Sequence, residues 1–123
     1  KTKVKMFGYE IDKDMFNYSI KNLNINAKIE NQDINLINYN DLDVDCYILN
    51  TPFLKDEMLK NLIKKISLSK KYSKKKYYII IINVDVILKK IKLNNIFVNF
   101  KLIKFINVGP ITSFRIYENS IIK

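Results

Sequence analysis

One stretch decides the fold of this chain: Asp45-Cys46-Tyr47-Ile48-Leu49-Asn50-Thr51-Pro52-Phe53. Its apolar first half predicts a β-strand over Val44–Leu49. Its second half predicts a corner that leads into a helix, because proline is favoured at the first helical position. Apolar residues then recur at helical spacing, namely Leu54, Met58, Leu59, Leu62, Ile63 and Ile66. A strand, a polar corner and an amphipathic helix in this order favour an α/β fold.

Composition limits the size of the fold and suggests its partners. The 123 residues suffice for one compact domain, and 48% of them are apolar, so a substantial core can form. The formal net charge of +10 favours an anionic partner, nucleic acid first. The alternative is that the abundance of Lys, Asn, Ile and Tyr reflects an AT-rich genome and carries no binding function.

Several classes of site are excluded by what the sequence lacks. It contains no histidine, which removes histidine triads and a histidine general base. The one cysteine, Cys46, allows no disulfide within the chain and is predicted to be a buried thiol. We expect no metal site, no membrane span, because the apolar run Tyr77–Ile82 is too short, and an intracellular location. The first residue is Lys1, so we expect a processed, trimmed or partial chain.

The remaining elements follow from apolar periodicity and turn residues. A helix capped by Asp12 should carry Met15, Phe16, Ile20 and Leu23 on one face. The predicted strands are Val4–Ile11, Ala27–Asn31, Val44–Leu49, Tyr77–Val84, Ile96–Val108 and Ile111–Ile122. Loops are predicted over Asp33–Asp43 and Ser67–Lys76, and a short helix over Val86–Ile91. The unbroken apolarity of Tyr77–Val84 is typical of a strand buried on both faces of a parallel sheet. The last two strands should form an antiparallel hairpin at the Gly109-Pro110 turn.

Polar residues follow three of the predicted strands in a recurring order. Glu10 ends the first, Asp33 follows the second, and Asn50-Thr51-Pro52-Phe53 closes the third. An acid, a second acid and then Asn-x-Pro-aromatic resembles class I S-adenosylmethionine-dependent methyltransferases that act on exocyclic amines. The resemblance implies a Rossmann-like three-layer α/β sandwich formed by residues 1–123 as a single, partial domain. The family's first strand and its Gly-rich loop have no counterpart, since the only glycines are Gly8 and Gly109.

The resemblance also implies roles for individual residues. Glu10 would accept the ribose hydroxyls of S-adenosylmethionine, Asp33 its adenine amine, and Ile34 would cover the adenine ring. Asn50 and the carbonyl before Pro52 would accept the N–H groups of the target amine, and Phe53 would stack on the base. The alternatives are structural: an exposed strand-end acid at Glu10, a turn-forming aspartate at Asp33, and a strand-to-helix corner with Phe53 in the core.

The implied function is methyl transfer from S-adenosylmethionine to an exocyclic base nitrogen in RNA, with adenine N6 as the first choice. Thr51 departs from the family's usual residues and leaves the subfamily open. The expected partners are RNA and a protein that completes or activates the domain. Two alternatives remain: a catalytically inactive methyltransferase-like subunit, and a small basic ribosomal or organellar RNA-binding protein. Lysines in Ser67–Lys76 are interpreted as a solvated loop, and Arg115, the single arginine, as a surface cation.

Overall fold

The computed structural model describes most of the chain, and it divides into two compact units. The described residues are 6–9, 13–22, 27–30, 36–39, 44–50, 56–70, 75–84, 90–110 and 112–120. The units are Lys1–Asn38 and Tyr39–Lys123. Among the described residues, no helix is long and apolar enough to cross a membrane.

The first unit is a β-α-β motif. Strand β1 (Met6–Tyr9) is followed by helix α1 (Lys13–Asn22) and strand β2 (Ala27–Glu30). The two strands are parallel, with Tyr9 opposite Glu30, and parallel strands require a crossover such as α1. Asp14 in the first turn of α1 and Lys21 in its last turn complement the helix dipole. Asp12, the predicted cap, and Leu23 lie outside the described residues, and the structure does not describe the side chains of Met15, Phe16 and Ile20.

The second unit contains a four-stranded sheet. In chain order its elements are β3 (Cys46–Asn50), α2 (Asp56–Ser69), β4 (Tyr78–Ile82), α3 (Lys90–Ile96), β5 (Phe100–Val108) and β6 (Thr112–Asn119). The strand order is β3-β4-β6-β5. The β3–β4 pair is parallel, whereas β6 is antiparallel to both β4 and β5. The apolar run of β4 thus pairs in parallel with β3, and the predicted antiparallel hairpin of the last two strands is confirmed.

The predicted ends of both helices in this unit are wrong, and so is the predicted start of β5. Helix α2 continues to Ser69, so it includes the start of the predicted loop Ser67–Lys76. The Ser69 hydroxyl donates to the carbonyl of Ile66 at 2.7 Å and closes the last turn. Helix α3 extends past Ile91 to Ile96, so the strand predicted over Ile96–Val108 begins only at Phe100. Leu93 is buried there, and the Phe97 amide donates to its carbonyl at 2.9 Å. In both helices a buried apolar residue near the end prolongs the helical hydrogen bonding.

The two faces of the four-stranded sheet differ in burial. Side chains alternate between faces along each strand. One side, which we call the buried face, carries Tyr47, Ile79, Ile81, Ser113, Arg115 and Tyr117. The other, the half-exposed face, carries Cys46, Ile48, Tyr78, Ile80, Ile82, Phe114 and Ile116.

Two sequence predictions about this sheet are therefore wrong. Strand β4 is not buried on both sides, because only alternate residues are fully covered. Cys46 is an exposed thiol rather than a core residue, because it lies on the half-exposed face next to Ile48, which is 59% exposed. Partial desolvation, and then the neighbouring Asp45 carboxylate, raise the pKa of the Cys46 thiol. An apolar run alone did not reveal which side of the sheet is covered.

A chain of aromatic rings packs at the amino ends of β3 and β4. Tyr47 and Tyr77 meet edge to face at 6.1 Å, and Tyr77 meets Phe100 at 5.9 Å. Phe97, just after α3, stacks on Tyr117 of the buried face at 3.9 Å between centroids. Such contacts add roughly 0.5–1.5 kcal/mol per pair beyond area burial. These contacts stabilise the amino ends of β3 and β4. The carboxyl ends of the two strands lie at the opposite end of the sheet.

The hairpin turn needs its glycine, and the edge strand beside it is unusually exposed. Gly109 has a φ of 76°, a left-handed conformation that glycine adopts without strain. Strand β5 is interrupted by a bulge between Leu102 and Lys104. Lysines and bulges on an edge strand oppose pairing with another chain. We interpret Lys101 and Lys104 as protection of this edge.

Candidate active site

The candidate site lies at the carboxyl ends of the parallel strands β3 and β4. Asn50 is the last residue of β3 and pairs with Ile82, the last residue of β4. In open α/β sheets ligands bind outside the carboxyl ends of the strands. The backbone of Asn50 is therefore at the position that the sequence hypothesis requires. Its side chain, and the residues Thr51, Pro52 and Phe53, lie outside what the structure describes, so their roles stay predictions.

The predicted cofactor residues follow a second parallel pair. Glu10 comes directly after β1, and Asp33 and Ile34 come shortly after β2. Since Tyr9 pairs with Glu30, the chain leaves both strands at the same edge of the two-stranded sheet. This supports the expectation that the two acids follow neighbouring strand ends. Glu10, Asp33 and Ile34 are themselves outside the described residues, and their contacts with a cofactor stay predictions.

Asn83 fixes the end of β4 to the start of β6. Its φ is 62°, in the left-handed region that asparagine tolerates better than most residues. The Asn83 amide donates to the carbonyl of Ser113 at 2.8 Å, and the Ser113 amide donates to Asn83 Oδ1 at 2.9 Å. Sequence reasoning missed this clamp, although an Asn directly after an apolar run is a turn signal. The clamp therefore joins β4 to β6 directly after Ile82, the residue that pairs with Asn50.

Arg115 is buried, and the prediction of a surface cation is wrong. Its side chain is 7% exposed and lies on the buried face, opposite Ile81 and Phe105. The guanidinium carbon lies 4.9 Å from the centroid of the Phe105 ring, within the range of a cation–π contact. An Arg115 Nη1–H donates to the Tyr117 hydroxyl at 3.5 Å. This contact with an aromatic ring favours a burial of Arg115 that composition did not predict.

The backbone of Arg115 lies near the carboxyl ends of the parallel strands β3 and β4. In the sheet register, Leu49, Ile81 and Arg115 form one row across β3, β4 and β6. The next row begins with Asn50. Neighbouring strands are about 4.8 Å apart, so the backbone of Arg115 is roughly 10 Å from that of Leu49. The guanidinium itself lies over Phe105 of β5 and donates to Tyr117, so the backbone of Arg115, and not its charge, is what lies one row from the end of the parallel pair.

An ion pair joins the two helices near the start of α2. Lys92 Nζ donates to Asp56 Oδ2 at 2.7 Å. This hydrogen bond from Lys92 is the main cause that lowers the pKa of the Asp56 carboxyl, and it likewise raises the pKa of Lys92. Both side chains are largely exposed, so solvent screens the interaction. The pair fixes α3 beside the first turn of the helix that follows the predicted amine-binding corner.

The described residues offer no metal centre. No group of three or more Cys, Asp or Glu side chains among them could hold an ion.

The Gly-rich turn expected of a cofactor loop has no counterpart in the sequence, because Gly109 is in the β5–β6 hairpin and Gly8 is within β1. Two features are expected of a cofactor site here. The parallel strand ends of β1 and β2 are present, whereas the sequence contains no Gly-rich turn.

Comparison with known proteins bears on the fold. No family model and no curated protein sequence match the chain. Among solved structures, it is similar to HI0767 from Haemophilus influenzae, a candidate methylase, at 23% identity and a TM-score of 0.59. That match covers 94% of this chain and 72% of the other. A SAM-dependent methyltransferase from Methanosarcina mazei matches at 9% identity and a TM-score of 0.69, covering 97% and 83%.

A third similar structure contains the cofactor. Human N-acetylserotonin methyltransferase in complex with SAM matches at 12% identity and a TM-score of 0.63, covering 95% of this chain and 40% of that enzyme. Identities this low show a shared fold. The predicted fold class is therefore confirmed: the described elements form a Rossmann-like α/β fold, as in class I methyltransferases, and are consistent with a truncated version of it.

Proposed function

We propose that this chain acts in S-adenosylmethionine-dependent methylation of an exocyclic base nitrogen in RNA, with adenine N6 as the first choice. One observation carries the proposal: Asn50 ends β3 beside the last residue of β4, at the carboxyl edge of a class I methyltransferase fold. RNA as the substrate is supported by the net charge of +10.

The cofactor would be held between the two acids. Glu10 would accept the ribose hydroxyls and Asp33 the adenine amine, while Ile34 covers the adenine ring. The parallel pairing of β1 with β2 supports this assignment, because it brings the segments after both strands to one edge. Backbone amides of a Gly-rich turn normally complete such a site, and this chain offers none. We therefore expect residues 1–123 alone to bind S-adenosylmethionine weakly, and a partner chain or further residues to complete the site.

In the proposed methyl transfer the protein mainly has to position the target amine relative to the methyl group. Bound S-adenosylmethionine supplies an electrophilic methyl group. The Asn50 side-chain oxygen and the Thr51 carbonyl would each accept an N–H of the target amine, which directs the nitrogen lone pair toward that methyl group. Phe53 would hold the base by stacking, worth roughly 1–3 kcal/mol. No histidine base is required, since orientation alone can provide most of the acceleration.

The test is transfer of labelled methyl groups to total RNA by the native-length protein and by Asn50→Ala. We expect turnover to fall by on the order of a hundredfold, because misplacing a reacting atom by about 1 Å has that effect. Asn107→Ala is the matched control, since Asn107 is exposed on the edge strand β5. Calorimetry should find the same cofactor affinity in both variants. Equal activity in wild type and Asn50→Ala would remove Asn50 from the amine site.

A second candidate function is that of an inactive methyltransferase-like subunit, favoured by the missing glycine turn. A native-length protein that binds RNA without transferring methyl groups would establish it. The third alternative, a small basic ribosomal or organellar RNA-binding protein, is supported by charge and size alone.

A further inference from the structure

The outward face of α2 carries three exposed lysines. The inward side of this helix buries Leu59, Leu62, Ile63 and Ile66. Its outward side exposes Glu57, Lys60, Asn61, Lys64, Lys65 and Leu68. We call Lys60, Lys64 and Lys65 the α2 lysine face.

Helix stability explains only part of this arrangement. Cations favour the last turn of a helix, yet α2 has no basic residue there, and the three lysines lie in its middle turns. Lys60 and Lys64 are four residues apart, a spacing at which like charges destabilise a helix. Asp56 is engaged by Lys92 at 2.7 Å, and Glu57 lies one turn before Lys60 and can pair with it. No acid of α2 lies three or four residues from Lys64, so helix stability accounts for Lys60 but not for Lys64.

The position of α2 relates this face to the candidate site. The helix begins six residues after Asn50, near the carboxyl end of β3. It ends near the amino end of β4, where the Ser67 and Tyr77 side chains are hydrogen-bonded. Fourteen residues span about 21 Å, and Lys60 and Lys64 are about 6 Å apart along the axis. The lysines therefore lead away from the edge where a base would be held.

We propose that the α2 lysine face is a docking track for the phosphate backbone of the RNA whose base enters the candidate site. The inference rests on the proposed function and adds where the rest of the substrate is held. Lysines that neutralise phosphates release counterions, which suits an exposed, flexible row of cations. Asn61 lies among them and can bond to phosphate or 2′-hydroxyl groups. A membrane surface is less well matched, because Leu68 is the one large apolar side chain exposed on this helix.

The experiment measures RNA affinity over a range of salt concentrations. A labelled single-stranded RNA oligonucleotide is titrated with wild type, Lys60→Gln/Lys64→Gln and Lys60→Arg/Lys64→Arg. The matched control is Lys101→Gln/Lys104→Gln, which removes the same charge from the exposed edge strand β5. We expect the α2 double variant to lose about tenfold in affinity, and its salt slope to fall by about 1.4, the value for two single-strand phosphate contacts. The arginine variant should retain both, and the β5 control should change by less than about twofold.

The outcomes separate this inference from the proposed function. Equal losses in the α2 variant and the β5 control would show a general charge effect and overturn the track. If wild type bound anionic vesicles but not RNA, both RNA assignments would fail. Methyl transfer to RNA that survives with unchanged KM in the α2 variant would leave the function in place and remove the track. Circular dichroism confirms that every variant is folded.

Discussion

Strand β4 presents the same residue type to two different environments. Ile79 and Ile81 are fully buried, whereas Ile80 and Ile82 are half-buried on the other side. The difference comes from register: Ile79 pairs across the sheet with the buried Tyr47 and Tyr117, and Ile81 pairs with the buried Arg115. The half-exposed face instead has neighbours such as Cys46 and Ile48. Apolarity of a strand therefore indicates that it belongs to a core, while packing elements decide which side is covered.

The largest expected effect comes from a direct test of the difference in burial between the two sides of β4. Ile79→Ala should lower the free energy of unfolding by about 3 kcal/mol, because it removes fully buried methyl groups and leaves a cavity. Ile80→Ala, on the same strand, should lower it by about 1 kcal/mol, since the side chain is already partly hydrated. Urea denaturation measures both. Equal losses would mean that the two faces are equally covered in solution.

Much of the fold could be predicted from the sequence because its elements have strong local patterns. The apolar stripe of α2, the strand beside it and the Gly109-Pro110 hairpin all depend on periodicity or on a turn residue, which the sequence displays. The end of α3 and the burial of β4 depend on contacts between distant segments, which no local pattern reports. Arg115 was misinterpreted for the same reason, since only pairing with β5 brings Phe105 over its guanidinium.

The candidate site was predictable to a lesser degree. The position of Asn50 at a strand end follows from the apolar run that precedes it, and the structure places its backbone there. The Asn83 clamp could not be assigned from sequence, because its partner Ser113 is 30 residues away. Roles of Glu10, Asp33 and Phe53 come from resemblance alone and remain predictions.

The second prediction concerns the Asn83 clamp at the end of the buried face. Asn83→Ala should cost about 2 kcal/mol, since alanine is strained at this positive φ and the Ser113 amide loses its acceptor. Asn83→Gly should cost about 1 kcal/mol, because glycine relieves the strain but supplies no acceptor. Thermal unfolding followed by circular dichroism orders the two variants. If alanine were no worse than glycine, backbone strain would have no role at this position.

The third prediction tests why a cation is tolerated on the buried face. A double-mutant cycle with Arg115→Lys and Phe105→Leu should give a coupling energy of about 1 kcal/mol, as expected for a desolvated guanidinium over a ring. Lysine keeps the charge but cannot lie flat on Phe105. Lys101→Gln, an exposed change on the same edge strand, should alter stability by less than about 0.5 kcal/mol. Strictly additive losses would show that the ring contact does not stabilise Arg115.

The smallest effect should come from the exposed Asp56–Lys92 pair, which joins the helices outside the sheet. In the folded protein Lys92 lowers the pKa of Asp56, so the pair stabilises the fold above the pKa that Asp56 has when unfolded. This contribution is lost as the pH falls through the folded pKa. The pKa of Lys92 is raised, so its contribution is present below its unfolded pKa and is lost as the pH rises through the folded value.

A double-mutant cycle of Asp56→Asn and Lys92→Gln, followed by Tm, should therefore show coupling at neutral pH and none in strong acid or strong base. Because both groups are exposed, added salt should weaken the coupling at neutral pH. Coupling that persisted in strong acid would mean that the two side chains interact through packing rather than charge, and the contrast between buried and exposed contacts would then be smaller than the structure indicates.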